Sequence, residues 1–217
     1  MMRKNGNAEQ TVGNPRKQNT SQILDAAEKV FAVYGLNGTR IDDIAKACAL
    51  PKANILYYFN TKEILYQATL GRFLDDWLGD ANVHLSADMN PREGLQSYIQ
   101  AKMLFSRQRP EASRLFMHEL LAGGEQIQFF LQETLKPHVE HLAIIFAAWY
   151  EKGLIKKIDP FHFMFMLWAM TQSYADMQVQ FAAVLGKKRL TKHDFEAGSE
   201  TIMQLVASIC IDAEKRS

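Results

Sequence analysis

The sequence predicts an all-α fold: a compact head of three helices, then a larger helical domain, with about nine helices in all. Three observations predict it. Apolar residues recur three and four positions apart along most of the chain, and no segment alternates with the period of two of a half-buried strand. Helix punctuation divides these segments, at Gly35, Asn37-Gly38, Pro51, Asn90-Pro91, Pro110, Gly123-Gly124, Gly153 and Asp159-Pro160. The second and third segments are short, and those beyond residue 66 are longer.

Residues 1–19 are polar, with Arg3, Lys4, Arg16 and Lys17, and read as a disordered basic arm. The head follows, over residues 20–66. Its first helix, 20–34, aligns Ile23, Leu24, Ala27, Val30, Phe31 and Tyr34 on one face. Gly35 and Asn37-Gly38 stop it. Thr39-x-x-Asp42 is a capping signal for the second helix, and Asp42 and Asp43 fall in its first turn, where the helix dipole favours them. Ile41, Ile44, Ala45 and Cys48 form its apolar face. Pro51 ends it and suits the first position of the third helix, which carries Ile55, Leu56 and Phe59. Thr61 caps a fourth, from Lys62 to about Leu85. So small a trio cannot hold a large core, so it must lean on helix four.

The second domain, 67–217, contains the remaining helices. Asn90-Pro91-x-Glu93 opens one to about Arg109, and Pro110 restarts the chain to Gly123-Gly124. A helix over 125–152, bent near Pro137, ends at Gly153. Asp159-Pro160 opens one to about Leu185, and Thr191-x-x-Asp194 opens the last, to about Lys215. Residues 161–170, "FHFMFMLWAM", are apolar all round. Such a helix must be covered on both sides, and a second copy of the chain in a symmetric dimer covers the outer side most simply. Complete burial within one chain is the alternative.

Composition bounds the reading. Net charge is +1, but residues 1–70 hold nine Lys/Arg against six Asp/Glu, and the remainder holds sixteen against eighteen. Two cysteines far apart, Cys48 and Cys210, do not make a secreted disulfide framework. No apolar run reaches membrane-spanning length, so the chain is expected to be soluble and cytoplasmic, with no membrane partner.

Chemistry enters through "PKANILYYFNTKEILY", residues 51–66. Two short helices joined by a tight turn describe a helix-turn-helix unit, whose second member enters the DNA major groove. Tyr57 and Tyr58 differ by about 100° around a helix, so they cannot both face the core. Their hydroxyls suit phosphate oxygens and their rings suit sugars and thymine methyls. Lys52 and Lys62 bracket the segment, and Thr39 sits at a helix N-terminus, which attracts phosphate. On periodicity alone, phosphate contact and plain packing stay equally open.

Residues 21–70 resemble the DNA-binding domain of the TetR family of bacterial transcriptional regulators. The matching pieces are "AAEKVFAVYGLNGTRIDDIA", "LPKANILYYF" and "TKEILY". The resemblance implies a homodimer on a palindromic double-stranded DNA operator, a repressor released when a small effector enters the second domain, and neither enzymatic activity nor a cofactor. It implies phosphate contacts from Thr39, with Arg40 beside it, and from Tyr57, Tyr58 and Lys62. It places Lys52, Ala53 and Asn54 at the groove end of the recognition helix. Two residues depart from the family pattern: Ala49 where glycine is usual, and Pro51 where serine or threonine is usual. Ala49 in a turn needing positive φ costs about 1 kcal/mol.

More narrowly, "LYYFNTKEILY", "EASRLFMHELLAG" and "DPFHFMFMLWAMTQSYAD" resemble regulators of pyrimidine utilisation, which respond to uracil and thymine. Trp77 and Arg107 fall within that likeness. A flat pyrimidine needs an aromatic face and an amide for its imide edge. Trp77, Trp168 and Gln172 are the candidates, with Thr171, Tyr174 and Asp176 nearby. An unrelated small hydrophobic or aromatic effector is the alternative. A reading of another class, a metal-dependent helical enzyme, would use His138-x-x-His141 with His118 or Glu119. Two packing histidines explain that pair more simply. Cys48 reads as a small buried hydrophobe.

Overall fold

The structure, a computed structural model, describes residues 15–79 and 81–211. Most of the arm and the end of the last predicted helix lie outside the described residues. The fold is all-α, and the chain divides into two compact units between Tyr66 and Gln67.

The first unit holds α1 (Pro15–Gly38), α2 (Ile41–Cys48), α3 (Lys52–Phe59) and the start of α4 (Lys62–Gly79). Helix α1 begins at Pro15, inside the stretch expected to be an arm, because Pro suits a first helical position. It breaks at Gly35, whose φ of 62° and ψ of −175° suit glycine. Ile23, Ala27, Phe31, Ile44, Ile55, Phe59, Leu65 and Tyr66 form the small core. Phe31 meets Tyr66 edge-on at 4.9 Å, so the opening turn of α4 completes the head. Tyr34 corrects its expectation: it is 60% exposed, because the apolar face of α1 runs one turn beyond what this small core covers.

Of the capping signals in the head, Thr61 acts as a cap and Thr39 does not. Thr61 Oγ1 does accept from Ile64 N at 3.2 Å. Thr39 does not cap α2: Arg40 is its N-cap residue, and the Thr39 hydroxyl donates back to Gly35 O at 2.7 Å. Pro51 is the N-cap residue of α3, one place earlier than expected.

The second unit is built on α6 (Pro91–Gln108), which packs against α10 (Pro160–Asp176) and α12 (Lys192–Val206). Leu95, Ile99, Phe146, Trp149, Met164, Leu167, Phe195 and Ile202 are among its core. Each fully buried aliphatic or aromatic side chain of this size contributes about 1.5–3 kcal/mol. Asn90, Asp159 and the Thr191/Asp194 pair cap their helices as the sequence indicated.

Several predicted helices are subdivided. Helix α4 stops at Gly79 and α5 (Ala81–His84) is a separate turn, so α4 does not reach Leu85. Residues 125–151 are a 3-10 turn (Glu125–Ile127), α8 (Gln128–Phe130), a π turn (Leu131–Leu135) and α9 (Lys136–Glu151). Pro137 has no N–H to continue the ladder, and the wide turn precedes it. Helix α10 ends at Asp176, Met177 leaves helical geometry at φ −109° and ψ 24°, and α11 (Gln178–Val184) follows. Helix α12 ends at Val206, short of Lys215, with a 3-10 turn to Ile209. A lone antiparallel bridge, Ile155 to Cys210, pins that end.

Candidate DNA-contacting face and effector site

In the head, the αL turn positions α3. Ala49 adopts φ 52° and ψ 34°, and the last carbonyls of α2 are met by Leu50 N to Ala45 O (3.2 Å) and Ala49 N to Lys46 O (3.3 Å). The substitution of alanine for the usual glycine therefore sits in the strained conformation the sequence implied.

Helix α3 turns Ile55 and Phe59 inward, and it leaves Lys52, Ala53, Asn54 and Tyr57 exposed. Tyr57 is 77% exposed. Tyr58, about 100° further round, is half-buried, its hydroxyl accepting from Asn19 Nδ2 at 3.2 Å. The two rings meet edge-to-face at 5.3 Å. Lys52 Nζ bonds Asp42 at 2.9 Å, and this bond first, then nearby positive charge, holds the Asp42 carboxyl below its ordinary value. Lys62 Nζ donates to Thr39 O at 3.1 Å. Thr39 itself is 2% exposed. Arg40 is exposed. Thus Arg40, Lys52, Ala53, Asn54 and Tyr57 are each accessible to solvent, whereas the Thr39 hydroxyl and the Lys62 ammonium bond backbone carbonyls of the head. Sequence reasoning missed Asn19 and Gln22, which tie α1 to Tyr58 and to Cys48 O. Cys48 is buried, as a small hydrophobe should be.

In the second unit, Trp77 at the end of α4 meets Trp168 on α10 at 5.0 Å and Phe116 on α7 (Pro110–Leu121) at 6.2 Å. Trp168 Nε1 donates to the Tyr98 hydroxyl at 2.7 Å. Trp168, Gln172 and Asp176 recur at four-residue spacing, so they lie along one face of α10. Gln172 Nε2 is buried without a hydrogen-bond acceptor. Gln172 faces Asp176, whose carboxyl accepts from Ser113 Oγ at 2.7 Å. Burial raises the Asp176 carboxyl above its ordinary value, outweighing the lowering by Ser113, Gln172 and Arg114. Thr171 is a structural residue: it is buried, donates to Leu167 O at 2.9 Å, and its carbonyl accepts from Ser106 Oγ at 3.0 Å.

Tyr174 stands apart. Two residues from Gln172 is about 200° of helix turn, so it faces the other way. It packs on Phe181 (5.2 Å) and Phe195 (5.7 Å), and it lines a cavity of about 440 Å³ with Val184, Leu185 and Gly198. The structure thus sets Trp77 against Trp168, whose face of α10 also carries Gln172 and Asp176, and leaves Tyr174 out.

The residue that sequence reasoning missed here is Lys102. Tyr98, Lys102 and Ser106 lie on one buried face of α6, and Lys102 is 3% exposed. Its ammonium is 4.3 Å from the Trp77 ring centroid and 5.3 Å from that of Tyr98, and it donates to Trp77 O. A lysine on an otherwise apolar helical stripe was the available signal. Its charge reaches His138, whose imidazole is held below the ordinary value by burial first, then by Lys102 and His141. His138 and His141 line a cavity of about 490 Å³ with Asp75 and Glu133. No group of three or more His, Cys, Asp or Glu side chains suited to a metal occurs among the described residues.

Comparison with known proteins decides the family. "Bacterial regulatory proteins, tetR family" matches residues 23–69, and "YcdC-like protein, C-terminal region" matches residues 70–213. The chain belongs to the TetR family. It is 38% identical to the HTH-type transcriptional regulator RutR of Escherichia coli K12 over 184 residues, covering 85% of this chain and 86% of that one. In fold, this TetR regulator is similar to AibR, solved with isovaleryl coenzyme A and operator DNA (TM-score 0.70, 22% identity, 88% of this chain and 98% of that one). It is likewise similar to the ketosteroid regulator KstR2 of Mycobacterium tuberculosis (TM-score 0.72, 17% identity, 93% and 98% covered). It is thus a DNA-binding transcriptional regulator with an N-terminal helix-turn-helix. No helix among the described residues is long and apolar enough to cross a membrane.

Proposed function

We propose that the chain is a homodimeric repressor that binds a palindromic operator and releases it on sensing a pyrimidine such as uracil or thymine. The observation that carries the DNA half is the surface of α3: Ile55 and Phe59 are buried, while Lys52, Ala53, Asn54 and Tyr57 are exposed together. Arg40, Lys52, Tyr57 and Tyr58 then meet phosphates, Ala53 and Asn54 face base edges, and Thr39 and Lys62 hold the helix ends at the backbone.

Dimerisation is supported by apolar side chains that one chain leaves uncovered. Phe165 (48% exposed) and Met166 (62%) on α10 and Val179 (87%) and Val184 (81%) on α11 are among them. A two-fold axis sets the recognition helices about one DNA turn apart, roughly 34–36 Å.

For the effector, Trp77 and Trp168 supply the ring faces, and the Gln172 amide, with its buried Nε2 lacking an acceptor, supplies the imide-pairing edge. Thr171 positions that edge through its backbone, and Asp176 sits at its far end. The test is a mobility-shift titration of the full chain on the DNA upstream of its own gene, with and without uracil. Retarded DNA released by uracil is the expected result, and binding that ignores uracil sinks the pyrimidine reading. Light scattering that reports a monomer at micromolar concentration sinks the dimer.

A further inference from the structure

The exposed side of α3 accounts for Tyr57, whereas Tyr58 is half-buried and tied to another helix. Asn19 Nδ2 on α1 donates to the Tyr58 hydroxyl at 3.2 Å. One turn further along α1, Gln22 Nε2 donates to Cys48 O at 2.6 Å, and beyond it Ile23, Ala26 and Ala27 are buried. The inward side of α1 therefore lies along the helix-turn-helix, from the end of α2 to the end of α3. A phenol oxygen carries one proton and two acceptor sites. Asn19 fills an acceptor site, so the Tyr58 proton is left to donate elsewhere.

Arg16 continues the same side of α1. It stands three residues before Asn19, about 60° away around the helix, at the spacing where side chains are neighbours. Positions 16, 19, 23 and 27 form one stripe, buried at Ile23 and Ala27, half-buried at Asn19 and exposed at Arg16. The stripe outruns the head, and where it does so the residue is an arginine. Lys17 is two residues from Asn19, about 200° of turn, and faces the opposite side. Arg16 already has a partner within the protein. Its guanidinium has five N–H donors arranged as a fork, enough to serve a second partner at the same time.

We propose that the opening of α1 is a third DNA-contacting element: Asn19 aims the Tyr58 proton at a backbone phosphate, and Arg16 meets the backbone beside it. This rests on the reading of Tyr58 as a phosphate contact. Asn19 is a positioning residue, acting through Tyr58, and Arg16 touches the DNA itself. Both contacts are to phosphate, so they add affinity without base preference.

The experiment measures the affinity of the full chain for the DNA upstream of its own gene over a series of salt concentrations, by fluorescence anisotropy. Arg16→Gln is expected to flatten the slope of log affinity against log salt by about 1, and Arg16→Lys to keep the wild-type slope. Lys17→Gln removes the same charge from the opposite side and is expected to leave the slope unchanged. Asn19→Ala is expected to weaken binding about threefold or more with the slope unchanged, and to add nothing once Tyr58→Phe has removed the hydroxyl. A partly unfolded variant loses affinity alike at every salt concentration, so the slope reports the contact rather than stability. A wild-type slope in Arg16→Gln overturns the Arg16 contact, as does equal flattening by Arg16→Gln and Lys17→Gln. Additive losses from Asn19→Ala and Tyr58→Phe overturn the role of Asn19. Wild-type affinity in Tyr58→Phe overturns instead the reading on which the proposal rests.

Discussion

The phenol ring of Tyr174 lies on Gly198, so close that a Cβ there would overlap its Cζ and hydroxyl. This contact lets α10 and α12 meet, with Phe181 and Phe195 flanking the ring. Gly198 is mid-helix, where alanine is ordinarily favoured by roughly 0.5–1 kcal/mol. Steric overlap reverses the sign. Gly198→Ala is expected to destabilise the protein by about 1–3 kcal/mol. In a double-mutant cycle, Tyr174→Ala should remove most of that penalty. Urea unfolding measures both, and an additive cycle would refute the contact.

Ala49 gives the opposite expectation. Its φ of 52° is the strained choice at an exposed turn whose hydrogen bonds a glycine keeps. Ala49→Gly is expected to stabilise the head by up to about 1 kcal/mol. The readout is the urea midpoint by circular dichroism, with an unchanged slope. A lower midpoint would mean that the backbone is relaxed there.

Asp176 carries a pH dependence. Its folded-state pKa is raised above the ordinary 3.8 by burial, so the folded protein binds this proton more tightly than the unfolded chain does. Its stabilising contribution is therefore complete below the ordinary value and is lost as pH rises through the raised one. Asp176→Asn keeps an oxygen for Ser113 and never ionises. It should raise Tm at pH 7 by about 2–4 °C and converge with the wild type near the ordinary carboxylate range. A gain that persists at low pH would point to packing instead.

The DNA face is tested by salt. Lys52→Ala removes one proposed phosphate contact and should flatten the slope of log affinity against log salt by about 1. Tyr57→Phe removes only a hydroxyl and should weaken operator binding with the slope unchanged. Lys62→Ala should weaken binding and also lower Tm, because its ammonium holds the Thr39 carbonyl at 3.1 Å. Unaltered affinity in the Lys62→Ala, Tyr57→Phe double variant would remove both contacts from the proposal.

The split of the predicted 160–185 helix shows where local reading stops. Neither Gly nor Pro marks Met177, yet the chain leaves helical geometry there. No short-range signal requires that break, so periodicity ran straight through it. The capping boxes, by contrast, were legible because they are local: Thr191 and Asp194 satisfy each other's backbone groups within one turn. Thr39 failed as a cap for a tertiary reason. It lies one residue before the N-cap position held by Arg40, and its hydroxyl is turned back to donate to Gly35 O at the break in α1.

By itself the sequence determined the all-α fold, the order of the helices, the αL strain at Ala49 and the TetR likeness. The fold class and the helix order follow from residue spacing and turn chemistry, which act over a few positions, and the Ala49 strain follows from the TetR likeness, whose pattern has glycine there. Only the tertiary structure decided that Trp77 and Trp168 share a wall while Tyr174 serves a different cavity, and that Lys102 is buried against Trp77. Residues 77, 102 and 168 lie on three separate helices. Their meeting depends on how α4, α6 and α10 cross, which is fixed by side-chain packing over the whole second unit rather than by any local signal.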